Sequence, residues 1–274
     1  MDIKRLYDMP PWEWPKDAAK TFLRILSDRE ADESDRILAA ELAGDFTVMN
    51  DEVADRLLSL VKRGDEPEQL RAQAVIALGP ALEYTYDGFD DPEEQTISAG
   101  MFNRIQESLR RLYMDANVPK EVRRRILEAS VRAPQDWHHD VVAAAYLIDD
   151  EDWHLTAVFC MGFIQGFDDQ ILEALNSRNP DIYYQAVCAA GDWGLDGAWP
   201  HIVSIIDSRE TDKPLLLAAI EAAVYIRPHE AVDILSDLMY SEDEDIIEAV
   251  HEAIAMSDIS MDDDFDDDDD KTLH

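Results

Sequence analysis

The sequence predicts an all-α chain, a solenoid of about seven helical pairs. Three observations predict it. Small or apolar residues recur at i, i+4, i+7 and i+8 in six segments: Leu70-Ala74-Ala77-Leu78, Val122-Ile126-Ala129-Ser130, Trp153-Ala157-Cys160-Met161, Ile182-Ala186-Ala189-Ala190, Leu215-Ala219-Ala222-Ala223 and Ile246-Val250-Ala253-Ile254. That spacing marks one face of a helix. From Ile126 onward the i+4 positions follow one another at 31, 29, 33 and 31 residues, and a fixed period near thirty is the mark of a helical repeat array. No strand-like alternation of useful length interrupts the pattern.

The elements follow in order. Residues 1–16 contain Pro10-Pro11-Trp12-Glu13-Trp14-Pro15, which regular helix cannot accommodate. This arm is expected to cover the apolar face of the first repeat, as terminal repeats require. The first pair, 17–44, turns at Ser27–Asp32 and carries a weaker stripe, Asp35-Ala39-Leu42-Ala43. The second pair, 50–82, turns at Arg63-Gly64-Asp65-Glu66-Pro67. Pro67, Pro119, Pro180 and Pro214 stand at or just before the second helix of four units, where proline suits the first helical turn. A link at 83–97, acidic and with three aromatics, precedes the third pair at 98–132; a loop of that length is expected to be functional or mobile. Pairs at 137–165 and 168–193 follow. The sixth pair, 198–226, reads as helices near 199–208 and 213–226, and the seventh, 229–257, as helices near 231–240 and 244–256. Gly44, Gly79, Gly162 and Gly191 come just after the stripe of a second helix, which fits a helix C-cap or a close helix crossing. Residues 258–274 hold nine Asp and one Lys, too charged to pack, and are expected to be a disordered acidic tail.

Charge narrows the partners. The net charge is −37, of which the tail supplies −8 and the repeats the rest. Phosphate-backbone binding needs clustered Lys and Arg, so neither nucleic acid nor an anionic membrane is an expected partner. Cys160 and Cys188 both fall on apolar helix faces and read as buried free thiols. The first residues lack an apolar run of signal-peptide length, and no stretch approaches the roughly 20 apolar residues of a membrane span. A cytoplasmic protein is the expectation.

The second helix of each unit carries more than its stripe. Arg36, Arg71, Arg123, His154 and Tyr183 follow its first apolar position in the first five units, and Leu216 and Ile247 stand there in the last two. The strings Leu70-Arg71-Ala72-Gln73-Ala74-Val75-Ile76-Ala77-Leu78-Gly79 and Val122-Arg123-Arg124-Arg125-Ile126 resemble the second helix of a HEAT repeat, with Asp65 and Asp115 as the acidic residue of the preceding turn. The resemblance covers about residues 17–257. It implies a right-handed α-α superhelix whose second helices line a concave face, and a tendency to bind partners.

Candidate sites are few. Residues 104–132 hold eight basic and four acidic side chains, net +4 in a strongly acidic chain. Three accounts fit: ion pairing with acidic repeats, a site for an acidic peptide, or docking of the acidic tail, which would produce weak self-association. Arg123 occupies the repeat's structural position, so Arg124 and Arg125 are expected to be the exposed members of the triplet. With His154, Tyr183 and Tyr184 they form the candidate partner-binding set, because Arg and Tyr are frequent interface anchors. His229-Glu230 and His251-Glu252 resemble the His-Glu pairs of the deoxyhypusine hydroxylases but sit at non-equivalent helix positions, and His138-His139-Asp140 lacks a zinc or calcium spacing. No catalytic residue, metal or cofactor is therefore assigned. The expected function is a non-enzymatic protein-interaction scaffold presenting its concave surface to a protein or peptide partner. The alternatives are a HEAT-like enzyme such as a bilin lyase, or an acidic nucleic-acid mimic.

Overall fold

The computed structural model describes residues 3–88 and 96–266, with side chains described as far as residue 256. Its helices are α1 (Ile3–Tyr7), α2 (Ala18–Ser27), α3 (Glu33–Leu42), α4 (Asp51–Lys62), α5 (Glu68–Ile76), α6 (Gly79–Asp87), α7 (Ala99–Met114), α8 (Lys120–Ser130) and α9 (Asp136–Tyr146). They continue as α10 (Glu151–Met161), α11 (Asp168–Ala174), α12 (Pro180–Asp192), α13 (Trp199–Asp207), α14 (Lys213–Ile226), α15 (Pro228–Leu235) and α16 (Glu244–Asp266). Short 3₁₀ turns occupy Pro11–Glu13, Asp196–Ala198 and Ser236–Tyr240. Among the described residues there is no strand, and all seven expected helical pairs are present.

Several helices begin where the sequence provides a side-chain cap. Asn50 accepts from the backbone N–H groups of Glu52 and Val53 at 2.9 and 3.1 Å, and Asp150, Asn179 and Asp212 cap α10, α12 and α14 in the same way. These bonds satisfy amides that the helix leaves without partners. Pro67 and Pro119 sit at the N-cap of α5 and α8, and Pro180 and Pro214 inside the first turn of α12 and α14. Proline there is helix punctuation, as its fixed φ and missing N–H dictate.

The helices group into two compact units, Met1–His138 and His139–His274. In the first, each second helix packs on the next, α3 on α5 and α5 on α8, and each is backed by its own partner, α2, α4 or α7. Its core includes Phe22, Leu26, Leu57, Leu70, Leu78 and Ile105, all withdrawn from solvent. Burying a side chain of this size stabilises by about 1.5–3 kcal/mol. In the second unit α10, α12, α14 and α16 pack in succession, with α11, α13 and α15 behind. Ala157, Ala186 and Ala219, the recurring i+4 residues, are fully buried between them.

The glycines mark close crossings. A Cβ on Gly44 would stand 3.0 Å from Ala77 Cα, and one on Gly191 would stand 2.8 Å from Ala222 Cβ. Neither has a positive φ; among the described residues only Gly166 and Gly194 do. Consecutive second helices thus approach to backbone distance at their ends, while Gly162 stands at the C-cap of α10.

The terminal segments differ from expectation in detail. The N-terminal arm forms a short helix, α1, that buries Ile3 and Leu6 against α2 and α3. The Trp14 indole N–H donates to the carbonyls of Leu6 (2.9 Å) and Met9 (3.1 Å), and its ring meets Phe22 edge-on at 5.4 Å. The expected link at 83–97 begins later, because α6 carries helix through Asp87; residues 89–95 lie outside the described residues. Helix α16 continues to Asp266, nine residues into the segment expected to be disordered; once a helix is nucleated, each further residue adds a backbone bond. The remainder of that tail, 267–274, lies outside the described residues. No helix among the described residues is long and apolar enough to cross a membrane.

Candidate functional site

In four units the residue that follows the first apolar position of the second helix contacts a first helix, its own pair's for Arg71, Arg123 and His154 and the next pair's for Tyr183. Arg71 Nε donates to the Val61 carbonyl on α4 at 3.1 Å, and Arg123 Nε to the Tyr113 carbonyl on α7 at 2.9 Å. The His154 ring meets Tyr146 of α9 edge-on at 4.4 Å. Tyr183 is directed to His201 of α13, with ring centres 6.4 Å apart. This position therefore ties helices together, and His154 and Tyr183, both half-buried, make ring contacts with neighbouring helices. Tyr146 in turn bonds Glu173 Oε2 at 2.9 Å, and burial together with that carboxylate raises its phenol above the ordinary range.

The arginine triplet also departs from expectation. Arg124, expected to be exposed, is only 4% exposed and is the most deeply buried of the three; Arg123 and Arg125 are half-buried. Glu121 accepts from Arg124 Nη1 at 2.9 Å and from Arg125 Nε at 2.7 Å, and Glu128 accepts from Arg125 Nη1 at 2.7 Å. The physical reason is spacing. Glu121 and Glu128 lie three or four residues from both arginines on α8, so carboxylates one turn away neutralise the guanidinium groups. The rest of the basic segment is similarly engaged: Arg104 pairs with Asp55, Arg111 with Glu107 at 2.7 Å, and Arg132 with Glu83. Ion pairing within the fold accounts for most of the segment's charge.

Two further side chains are fixed by local contacts. Asp115 serves its own turn, accepting from Asn117 N at 2.9 Å. The buried acidic partner is Glu66, beside Asp65, which pairs with Arg36 at 2.8 Å with both side chains about 5% exposed or less. His138 is fully buried. The Gln135 backbone N–H donates to its Nδ1 at 2.9 Å, which leaves the proton on Nε2 to meet Ser130 Oγ at 3.0 Å. Burial pushes this imidazole down to about 4, so it is neutral at physiological pH.

An open groove lies on the second-helix face of the second unit, with a volume of about 690 Å³. Tyr184 and Cys188 of α12 form one wall, one turn apart. From α14 come Leu217, Glu221 and Val224, again at helical spacing, with Lys213 at the end. The opposite wall is α16, whose Ala249, Ala253 and Met256 form an apolar stripe beside an acidic one of Asp245, Glu248 and Glu252. Burial pushes the Cys188 thiol up to about 11. Cys160 is buried, as expected, whereas Cys188 is only half-buried and faces the groove.

The groove's electrostatics are one-sided. Lys213 Nζ is held by Asp243 at 2.7 Å and by Asp245 at 2.5 Å. Glu221, Glu248 and Glu252 are exposed and have no cationic partner among the described residues. Asp192, one turn beyond Cys188, is pushed up to about 6, first by burial and then by Glu221. Its carboxylate reaches the end of α10, where a Cβ on Gly162 would lie 2.9 Å from Oδ2. An apolar floor with an acidic rim attracts cationic side chains and offers no activated nucleophile, because the Cys188 thiol stays protonated.

Of the expected site residues, only Tyr184 lines this groove. The others it needs, Leu217, Glu221, Glu248, Glu252 and Met256, fall outside the stripes Leu215-Ala219-Ala222-Ala223 and Ile246-Val250-Ala253-Ile254 that the sequence singles out. Among the described residues, no group of three His, Cys, Asp or Glu is placed to hold a metal ion.

Paired helices, stacked second helices and an arginine bonded back to its own first helix together decide the architecture. The fold is a HEAT-like helical repeat. No protein-family model matches the chain, and no curated protein sequence matches it. Two solved structures are similar to it at low identity. YibA of Escherichia coli is 16% identical with a TM-score of 0.45, over 89% of this chain and 84% of that one. Human deoxyhypusine hydroxylase, solved in complex with glycerol, is 14% identical with a TM-score of 0.39, over 89% and 96%. The second is an enzyme, which corrects the expectation of a non-enzymatic chain. This architecture gives no ground for excluding catalysis.

Proposed function

We propose that this HEAT-like chain is a binding module that receives a protein or peptide segment in the groove formed by α12, α14 and α16. The observation that supports the reading is the groove itself. About 690 Å³ of open space with an apolar floor is large enough for several side chains of a partner. Its walls are rigid helices held by N-caps and close crossings, so little ordering entropy is spent when a segment binds. Tyr184 at the edge supplies a large, stiff contact surface of the kind that anchors interfaces.

The test is a paired affinity capture from source lysate. Wild-type protein and an Ala249→Trp variant, with the groove filled, serve as baits at low salt. Proteins retained by the wild type and absent from the variant support the reading. Identical retained sets, with both baits equally helical by circular dichroism, contradict it.

A further inference from the structure

We infer that the occupant of this groove is a cationic amphipathic segment, rich in Lys or Arg and carrying an apolar side chain between the charges; the inference rests on the groove being the binding site. Three facts carry it. The exposed carboxylates Glu221, Glu248 and Glu252 rim an apolar floor, and the one nearby ammonium, Lys213, is already engaged by Asp243 and Asp245. Glu248 and Glu252 are one turn apart on α16, with Ala249 and Ala253 one residue further along the same turns. Cations at helical spacing on a partner would meet the carboxylates while its apolar face meets the alanines. The chain's own terminal segment fits badly, because 258–274 carries nine Asp against one Lys and would set like charge on like. An acidic partner is disfavoured for the same reason.

The probe is a fluorescein-labelled 18-residue peptide of Lys and Leu at helical spacing. Two companions carry Gln or Glu in place of every Lys. Binding to the full chain is followed by anisotropy at 50 and 500 mM salt. The expected result is binding of the Lys peptide roughly tenfold or more tighter than the Gln peptide, weakened by salt, with the Glu peptide not bound. Glu248→Gln with Glu252→Gln should weaken the Lys peptide by about tenfold. Glu41→Gln with Glu68→Gln, in the first unit, should leave it unchanged. Ala249→Trp should abolish binding, and Met256→Arg, at an exposed position that needs no repacking, should do the same.

Each other outcome overturns something specific. If Gln and Lys peptides bind alike and both are lost in Ala249→Trp, the groove stands and the cationic occupant falls. If the Lys peptide binds Ala249→Trp and Met256→Arg as well as it binds the wild type, the groove itself is wrong. If the first-unit control weakens binding as much as the groove pair does, the attraction is diffuse and the proposal falls. Absence of measurable Lys-peptide binding also overturns it.

Discussion

Arg71 and Arg123 make the same bond. Each donates from Nε to the backbone carbonyl ten residues earlier, on the first helix of its own pair, at 3.1 and 2.9 Å. Arg123 also lies over the Tyr113 ring at 5.2 Å. The bond fastens the C-terminal end of one helix to its partner, where carbonyls lack intrahelical donors. Arg71→Ala or Arg123→Ala should therefore each cost about 1–3 kcal/mol. Arg125→Ala should cost less than about 1 kcal/mol, since its two carboxylate partners are on its own helix and partly in water. Urea unfolding of the full chain checks this, and equal losses for Arg123→Ala and Arg125→Ala would remove the distinction.

Glu66 neutralises a buried cluster. It pairs with Arg36 at 2.8 Å, stands 3.7 Å from Arg63, and its charge also acts on Arg56. Removing one member of a buried pair leaves an uncompensated charge, which costs about 3–5 kcal/mol. Glu66→Ala should lose that much stability. Arg36→Met combined with Glu66→Leu should lose less than Glu66→Ala alone, because no Arg36 charge remains to be paired. A double variant no more stable than the single one would show that packing, not charge, sets the cost.

His138 gives the first unit a pH dependence of known sign. The folded imidazole titrates near 4 and the unfolded one near its ordinary 6.5. Between those values the unfolded chain binds a proton that the folded chain refuses. The stability due to His138 is thus complete above about 6.5 and is lost as pH falls toward 4. From pH 7 to pH 5 the loss is roughly 2 kcal/mol. His138→Gln should lower stability at pH 7 yet lose that much less between pH 7 and 5. Parallel pH profiles for the variant and the wild type would contradict the assignment.

The helical pairs were legible in the sequence because they rest on local rules. Periodic alanines must face a neighbouring helix, and Pro67, Pro119, Pro180 and Pro214 can only stand at a helix start. Gly191 against Ala222 followed from the same logic of close approach. What failed was the direction in which individual side chains point. Arg124 and Arg123 are neighbours on one helix, about 100° apart, so a small error in helix phase exchanges a surface arginine for a buried one. Glu121 and Glu128, which permit that burial, are three and four residues away and were visible, but their effect depends on side-chain geometry. The groove was harder still. Tyr184, Glu221 and Glu248 belong to three successive units, and only the packing of α12, α14 and α16 brings them together. Cys188, expected in the core, is half-buried and lines that space.

The central claim is that the second-helix face of the second unit is the binding surface. Methyl-resolved NMR of the full chain, titrated with the Lys and Leu peptide, tests it most directly. The account predicts perturbed methyl signals at Leu217, Val224, Ala249, Ala253 and Met256, with Leu26, Leu57 and Ile105 of the first-unit core unmoved. Shifts confined to first-unit methyls, with those groove signals unchanged at saturation, would contradict it.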